Sequence, residues 1–170
     1  MSLLGLCKWL EATPWSIALH ESIWVYPIVE SVHVLTLCLF VGTAVMLDLR
    51  LLGVTLRRVP VQEFVGRLLP WTMAGLVVIV ISGALLFYAI PVRTYLNIFF
   101  RIKVAMLLLA GLNVWVFHAT VYRGVAEWGA DPVTPRGARL AGGVSLVLWA
   151  AIIVAGRMIA YNWWDPPGVH

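Results

Sequence analysis

Charge is scarce in this chain. Of its 170 residues only 12% are Asp, Glu, Lys or Arg, where a soluble domain carries about a quarter, and 62% are hydrophobic. That balance excludes an ordinary soluble domain and makes the protein an integral membrane protein. Cysteine is scarce too. Cys7 and Cys38 are too few for a disulfide framework, and Cys38 falls deep within an apolar run, so both read as small apolar fillers. The N-terminus lacks a short apolar core followed by a small-residue cleavage site, which argues against a cleaved leader. No internal repeat and no soluble appendage is visible, and no HxH or MxxM pattern marks a metal site.

What is present is four long apolar runs. A helix crossing a bilayer needs about 20 mostly apolar residues, and segments near 28–48, 70–90, 102–122 and 140–160 qualify. Pro60, Pro70, Pro91, Pro132 and Pro135 punctuate the gaps. The expected fold is all-α: a four-helix transmembrane bundle over residues 28–170, with an N-terminal interfacial helix in residues 1–27. Thr13 followed by Pro14 reads as an N-cap with proline at the first helical position. Pro27 is expected to redirect the chain into the first span.

The net charge of +4 does not imply nucleic acid, because the cations sit in membrane loops where orientation is their job. Arg50, Arg57, Arg58 and Arg67 lie between the first two spans, and Arg123, Arg136 and Arg139 between the last two. Those loops are expected on the cytoplasmic side and both termini on the outer, periplasmic side. Trp163 and Trp164 in the tail NWWDPPGVH suit an outer aromatic belt.

Several ionisable residues do not fit an orientation role. The stretch ESVHVLTLCLFVGTAVMLDLR carries His33 about one turn inside its apolar run. Arg101 and Lys103 open the third span and Arg157 lies near the end of the fourth, all on the expected outer side. Snorkelling to the headgroups explains each cation singly, but ionisable residues within spans usually face the bundle interior and mark a site. At 1.5 Å rise per residue, His33, Lys103 and Arg157 lie about 7, 12 and 10 Å outside the middle of their spans. Alternating helix directions bring an imidazole, an amine and a guanidinium to similar depth.

A nitrogen ligand in an apolar setting with cations above it suits haem b. The iron takes an axial imidazole, here His33, and the propionates pair with Arg101, Lys103 or Arg157. Glu30, three residues before His33, is a candidate to orient the ring. The sixth ligand stays open among Lys103, His20 and Met158. His118 is a further candidate, but it lies about 9 Å inside the middle of its span, some 16 Å from His33 along the axis. That is too far to share one iron, and Asp48 is its expected neighbour. Asn113 is expected to bond across helices, and Gly42, Gly83, Gly111, Gly143 and Gly156 to let helices approach closely.

HVLTLCLFVGTAVMLDLRLLG on the first span, ISGALLFYA on the second and FRIKVAMLLLAGLNVWVFH on the third resemble the small bacterial membrane protoporphyrinogen oxidases. More loosely, they resemble the membrane domain of copper-resistance proteins. The resemblance implies haem b at a first-span histidine and a lysine opening the third span, here His33 and Lys103, and a bacterial inner membrane. It covers about residues 28–122. The sequence departs from the oxidase pattern after its histidine, where FVGTAVMLDLRLLG lacks the tryptophan and proline of that family. The segment HESIWVYPIVESVH is also foreign to it, so haem binding transfers better than porphyrin oxidation.

Four functions follow as expectations. The first is a b-type cytochrome passing electrons between an outer-side donor and quinone or a partner subunit. The second is a porphyrin-type oxidase. The third is a copper-binding module using His20, His33, Met158 and His170, since imidazole and thioether suit copper. The fourth is a cofactor-free structural subunit of a larger complex or homo-oligomer. The lipid bilayer is the expected partner in all four.

Overall fold

The computed structural model describes residues 2–161. Trp163, Trp164 and His170 lie outside the described residues. The chain is all-α, and four of its helices are long and apolar enough to cross a membrane. They are α3 (Val25–Leu51), α4 (Val61–Ala89), α6 (Ile98–Thr120) and α8 (Arg136–Met158). Two short helices, α1 (Leu3–Glu11) and α2 (Pro14–Glu21), precede them; α5 (Pro91–Leu96) joins α4 to α6. A 3₁₀ turn, Tyr122–Gly124, leads into α7 (Val125–Trp128) before α8.

Two prolines act differently from the expectation. Pro27 sits in the first turn of α3, where a helix has no use for its N–H. The break lies just ahead, at Ser22–Trp24, where the Ser22 hydroxyl accepts the Val25 N–H at 2.9 Å. Pro70 lies inside α4 rather than before it. The helix starts nine residues earlier because Val61 packs with Leu51, Phe117, Val125 and Ala138 in a buried apolar cluster. Tertiary packing there outweighs the backbone cost of the proline.

Each span turns one stripe inward at the 3-4 spacing of packed helices. On α3 the stripe runs Tyr26, Val29, His33, Thr36, Phe40, Thr43, Leu47 and Leu51. On α4 it runs Val61, Phe64, Leu68, Thr72, Gly75, Ile79, Ser82 and Leu86. On α6, Lys103, Met106, Ala110, Asn113 and Phe117 face α8. The helices follow one another in space as α4, α3, α8, α6, each packed on the next. The two edge helices, α4 and α6, scarcely touch, although Phe87 and Phe100 stack between them at 5.4 Å.

Of the five expected glycines, Gly83, Gly143 and Gly156 face a neighbouring helix, and two others, Gly142 and Gly75, bring helix backbones closest. A Cβ on Gly142 of α8 would lie 3.0 Å from the Asp48 carbonyl oxygen of α3, and one on Gly75 of α4 would lie 3.4 Å from Phe40 Cβ. Gly42 and Gly111 instead have nothing within 4 Å on that side and face outward. Asn113 bonds across helices as expected, donating to the Ala141 carbonyl at 3.0 Å.

At the loop end, Arg50 is fully buried and clasps two connections together. Its Nε donates to the Val59 carbonyl at 2.9 Å, and one Nη to the carbonyls of Gly129 and Asp131 at 3.3 Å each. Thr134 adds a hydroxyl bond to the Leu51 carbonyl at 2.5 Å.

At the opposite end, α1 packs on α5 and α2 on α4. Thr13 caps α2 by accepting from the Ser16 N–H, with Pro14 at the first helical position as expected. Ser16 Oγ donates to the Tyr88 carbonyl at 2.7 Å, and the hydroxyls of Thr13 and Tyr88 are 2.5 Å apart. Burial, and then the charge of Glu11, pushes the Cys7 thiol up from its ordinary pKa.

Candidate functional site

His33 lies on the inner stripe of α3, half-buried, because position 33 continues the 26–29–33–36–40 spacing that faces α4. Its Nδ1 is 2.8 Å from the Ser82 hydroxyl oxygen of α4. That hydroxyl has one proton and donates it to the Val78 carbonyl, four residues back, at 2.7 Å. Ser82 Oγ is therefore the acceptor toward His33, and Nδ1 carries the imidazole proton. In the neutral ring this leaves the lone pair on Nε2, directed away from Ser82.

Room for the ring comes from the next residue. A Cβ on Gly83 would stand 3.2 Å from His33 Cε1, so any side chain there forces the imidazole aside. Gly156 lies against Lys103: a Cβ there would just touch Nζ, at 3.4 Å. Lys103, half-buried on the α8-facing stripe of α6, acts electrostatically on the His33 ring. One level of the bundle thus draws on all four spans: His33 from α3, Ser82 and Gly83 from α4, Lys103 from α6 and Gly156 from α8.

The other expected residues sit elsewhere. Arg101 is exposed, stacked over Tyr95 at 5.1 Å with Nε donating to the Tyr95 carbonyl. Arg157 is exposed over the Tyr161 ring at 5.3 Å. His20 is exposed on α2, edge-on to Tyr26 at 6.3 Å. Glu30 is exposed, and Ser82 rather than Glu30 holds the His33 ring. His118 lies at the loop end of α6, donating from Nδ1 to the Val114 carbonyl and packed on Tyr122 at 4.9 Å. Asp48 faces Ser145 of α8 rather than His118, and among the described residues its buried Oδ2 has no hydrogen-bond partner.

Residues 20–162 match a family of unknown function, DUF6644. The chain belongs to that family. No curated protein and no solved structure matches it. The DUF6644 segment contains the four spans and the whole His33–Ser82–Gly83–Lys103–Gly156 level, while α1 and most of α2 lie ahead of it.

Three features of this DUF6644 protein bear on whether a haem b could be held at His33. The hydrogen bond to Ser82 leaves His33 an imidazole nitrogen with its lone pair. Helices α4 and α6 scarcely touch, apart from the Phe87–Phe100 stack. Lys103 brings an amine to the level of His33, against Gly156 of α8. Among the described residues no three His, Cys, Asp or Glu side chains gather into a metal-ion cluster.

Proposed function

We propose that this DUF6644 protein is a membrane b-type cytochrome-like protein. In this reading it carries electrons between a donor at the α1–α2 end and quinone or a partner subunit. The observation that supports the reading is the Nδ1–Ser82 hydrogen bond of His33, which orients the ring and leaves Nε2 with the lone pair that would hold the haem iron inside a span. The haem, when bound, supplies one-electron chemistry whose potential follows ligand identity, burial and nearby charge.

The remaining residues have supporting tasks. Ser82 holds the tautomer and ring orientation. Gly83 and Gly156 keep space for His33 and Lys103, and the lysine amine offers a charge to a propionate. The face carrying Arg57, Arg58, Arg67, Arg123, Arg136 and Arg139 is assigned to the cytoplasm, which puts His33 in the outer half of a bacterial inner membrane.

The test is a substitution. Protein purified with His33→Leu is expected to lose its Soret absorption while keeping its helical circular dichroism, with wild type retaining both. Full haem content in the His33→Leu protein refutes the ligand assignment.

A further inference from the structure

At the loop end, remote from His33, a notch of about 140 Å³ opens between the α3–α4 connection and the segment leading into α8. Leu52, Gly53, Arg57, Pro132, Thr134 and Arg139 line it, with Val133 on the rim. Sites for small organic ligands run to about 300–1,000 Å³, so this one suits a small group rather than a cofactor. Its chemistry is that of an anion site, since two guanidiniums meet there from two separate chain segments. Arg57 commits its Nε to the Gly53 carbonyl, which anchors the side chain, and among the described residues its terminal nitrogens have no hydrogen-bond partner. Arg139 makes no side-chain bond or ion pair among the described residues.

Two further features support an anion. The 23-residue helix α8 starts just after the lining residues Pro132, Val133 and Thr134, with no side-chain cap among the described residues. The walls are also fixed in advance: fully buried Arg50 ties Val59 to Gly129 and Asp131, and Thr134 bonds to Leu51. Leu52 sits at the end of the α3 span and Val133 is 74% exposed, so the rim beside the cations is apolar and lies where headgroups meet acyl chains.

We propose that this notch binds the phosphodiester headgroup of an anionic glycerophospholipid from the leaflet at the loop end. Arg57 and Arg139 act as the two-point clamp. Binding there would tie the α3–α4 loop to the α8 entrance whether or not His33 holds a cofactor.

The experiment uses the full chain in phosphatidylcholine nanodiscs containing phosphatidylglycerol. Lipid retained after transfer to detergent is counted by native mass spectrometry. Wild type is expected to keep one phosphatidylglycerol, and the Arg57→Gln/Arg139→Gln protein at least tenfold less. The charge-matched Arg58→Gln/Arg123→Gln protein, altered at exposed arginines outside the notch, is expected to retain it. Equal loss in both double variants refutes a site in favour of diffuse charge attraction. Equal retention of phosphatidylcholine refutes headgroup selectivity. Displacement of the lipid by millimolar inorganic phosphate, with the phosphate itself retained through Arg57 and Arg139, overturns the lipid assignment in favour of a free phosphate.

Discussion

Gly142→Ala gives the sharpest test of how the spans pack. The added Cβ meets the Asp48 carbonyl oxygen at 3.0 Å and Leu51 Cβ at 3.2 Å. Both belong to α3 at or next to its backbone, so neither swings away as the tip of a flexible side chain would; α8 must tilt or retreat. Overpacking of this kind costs about 1–3 kcal/mol. Replacing a helical glycine by alanine returns about 0.5–1 kcal/mol through backbone entropy, which leaves a net loss of up to about 2.5 kcal/mol. The same substitution at Gly42 or Gly111, with nothing within 4 Å, meets no obstacle and is expected to gain the full propensity term. The two classes should therefore differ by about 1–3 kcal/mol and in sign. Reversible unfolding in mixed micelles, read by tryptophan fluorescence, measures all three variants under one condition. A Gly142→Ala protein as stable as Gly111→Ala would refute the register in which α8 lies on α3.

Other outcomes follow from single contacts. Arg50→Met removes the donor of three loop carbonyls at a fully buried position, and about 2–5 kcal/mol of stability should go with it; limited proteolysis should then cut faster within residues 52–60 and 129–135. Ser82→Ala leaves His33 in place without its hydrogen-bond acceptor, so haem affinity should fall about 10–100-fold with a shifted midpoint potential; an unchanged affinity and potential would remove Ser82 from the site. Gly156→Val puts methyl groups where Lys103 Nζ now sits, and should lower haem retention while Gly111→Val does not. Cys7 is buried with its thiol pKa raised, so thiolate forms only at higher pH than in the unfolded chain. Its labelling by a soluble maleimide at pH 7 should be slow until the protein is denatured, whereas rapid native labelling would contradict the packing of α1.

The four spans were legible because hydropathy over 20 residues is a strong signal, insensitive to where a helix begins. Boundaries were not: nothing local tells that Pro70 lies inside α4, since what extends that helix is the distant partnership of Val61 with Phe117, Val125 and Ala138. Pro27 was misread as a break for the related reason that a proline in a first turn and a proline between helices look alike in sequence. His33 stood out as an imidazole in an apolar run, and Lys103 as a cation at the wrong end. Ser82 and Gly83 did not, because Ser and Gly inside a span are ordinary packing residues until α4 is set in register against α3. The 61–64–68–72–75–79–82–86 stripe carries that register and, aligned with the α3 stripe through Phe40 on Gly75, points Ser82 at His33. Gly42 and Gly111 are expected at contacts and Gly142 is not for the same reason: glycines are chemically identical, and only helix rotation separates an outward-facing position from a backbone approach.

The central claim is that His33 holds a haem b. The most direct measurement is the reduced-minus-oxidised visible spectrum of wild-type protein purified from haem-replete cells, with a pyridine haemochrome assay for stoichiometry. Sharp reduced b-type bands at about one haem per chain are the expected result. A colourless preparation, with the helical content intact, would contradict it.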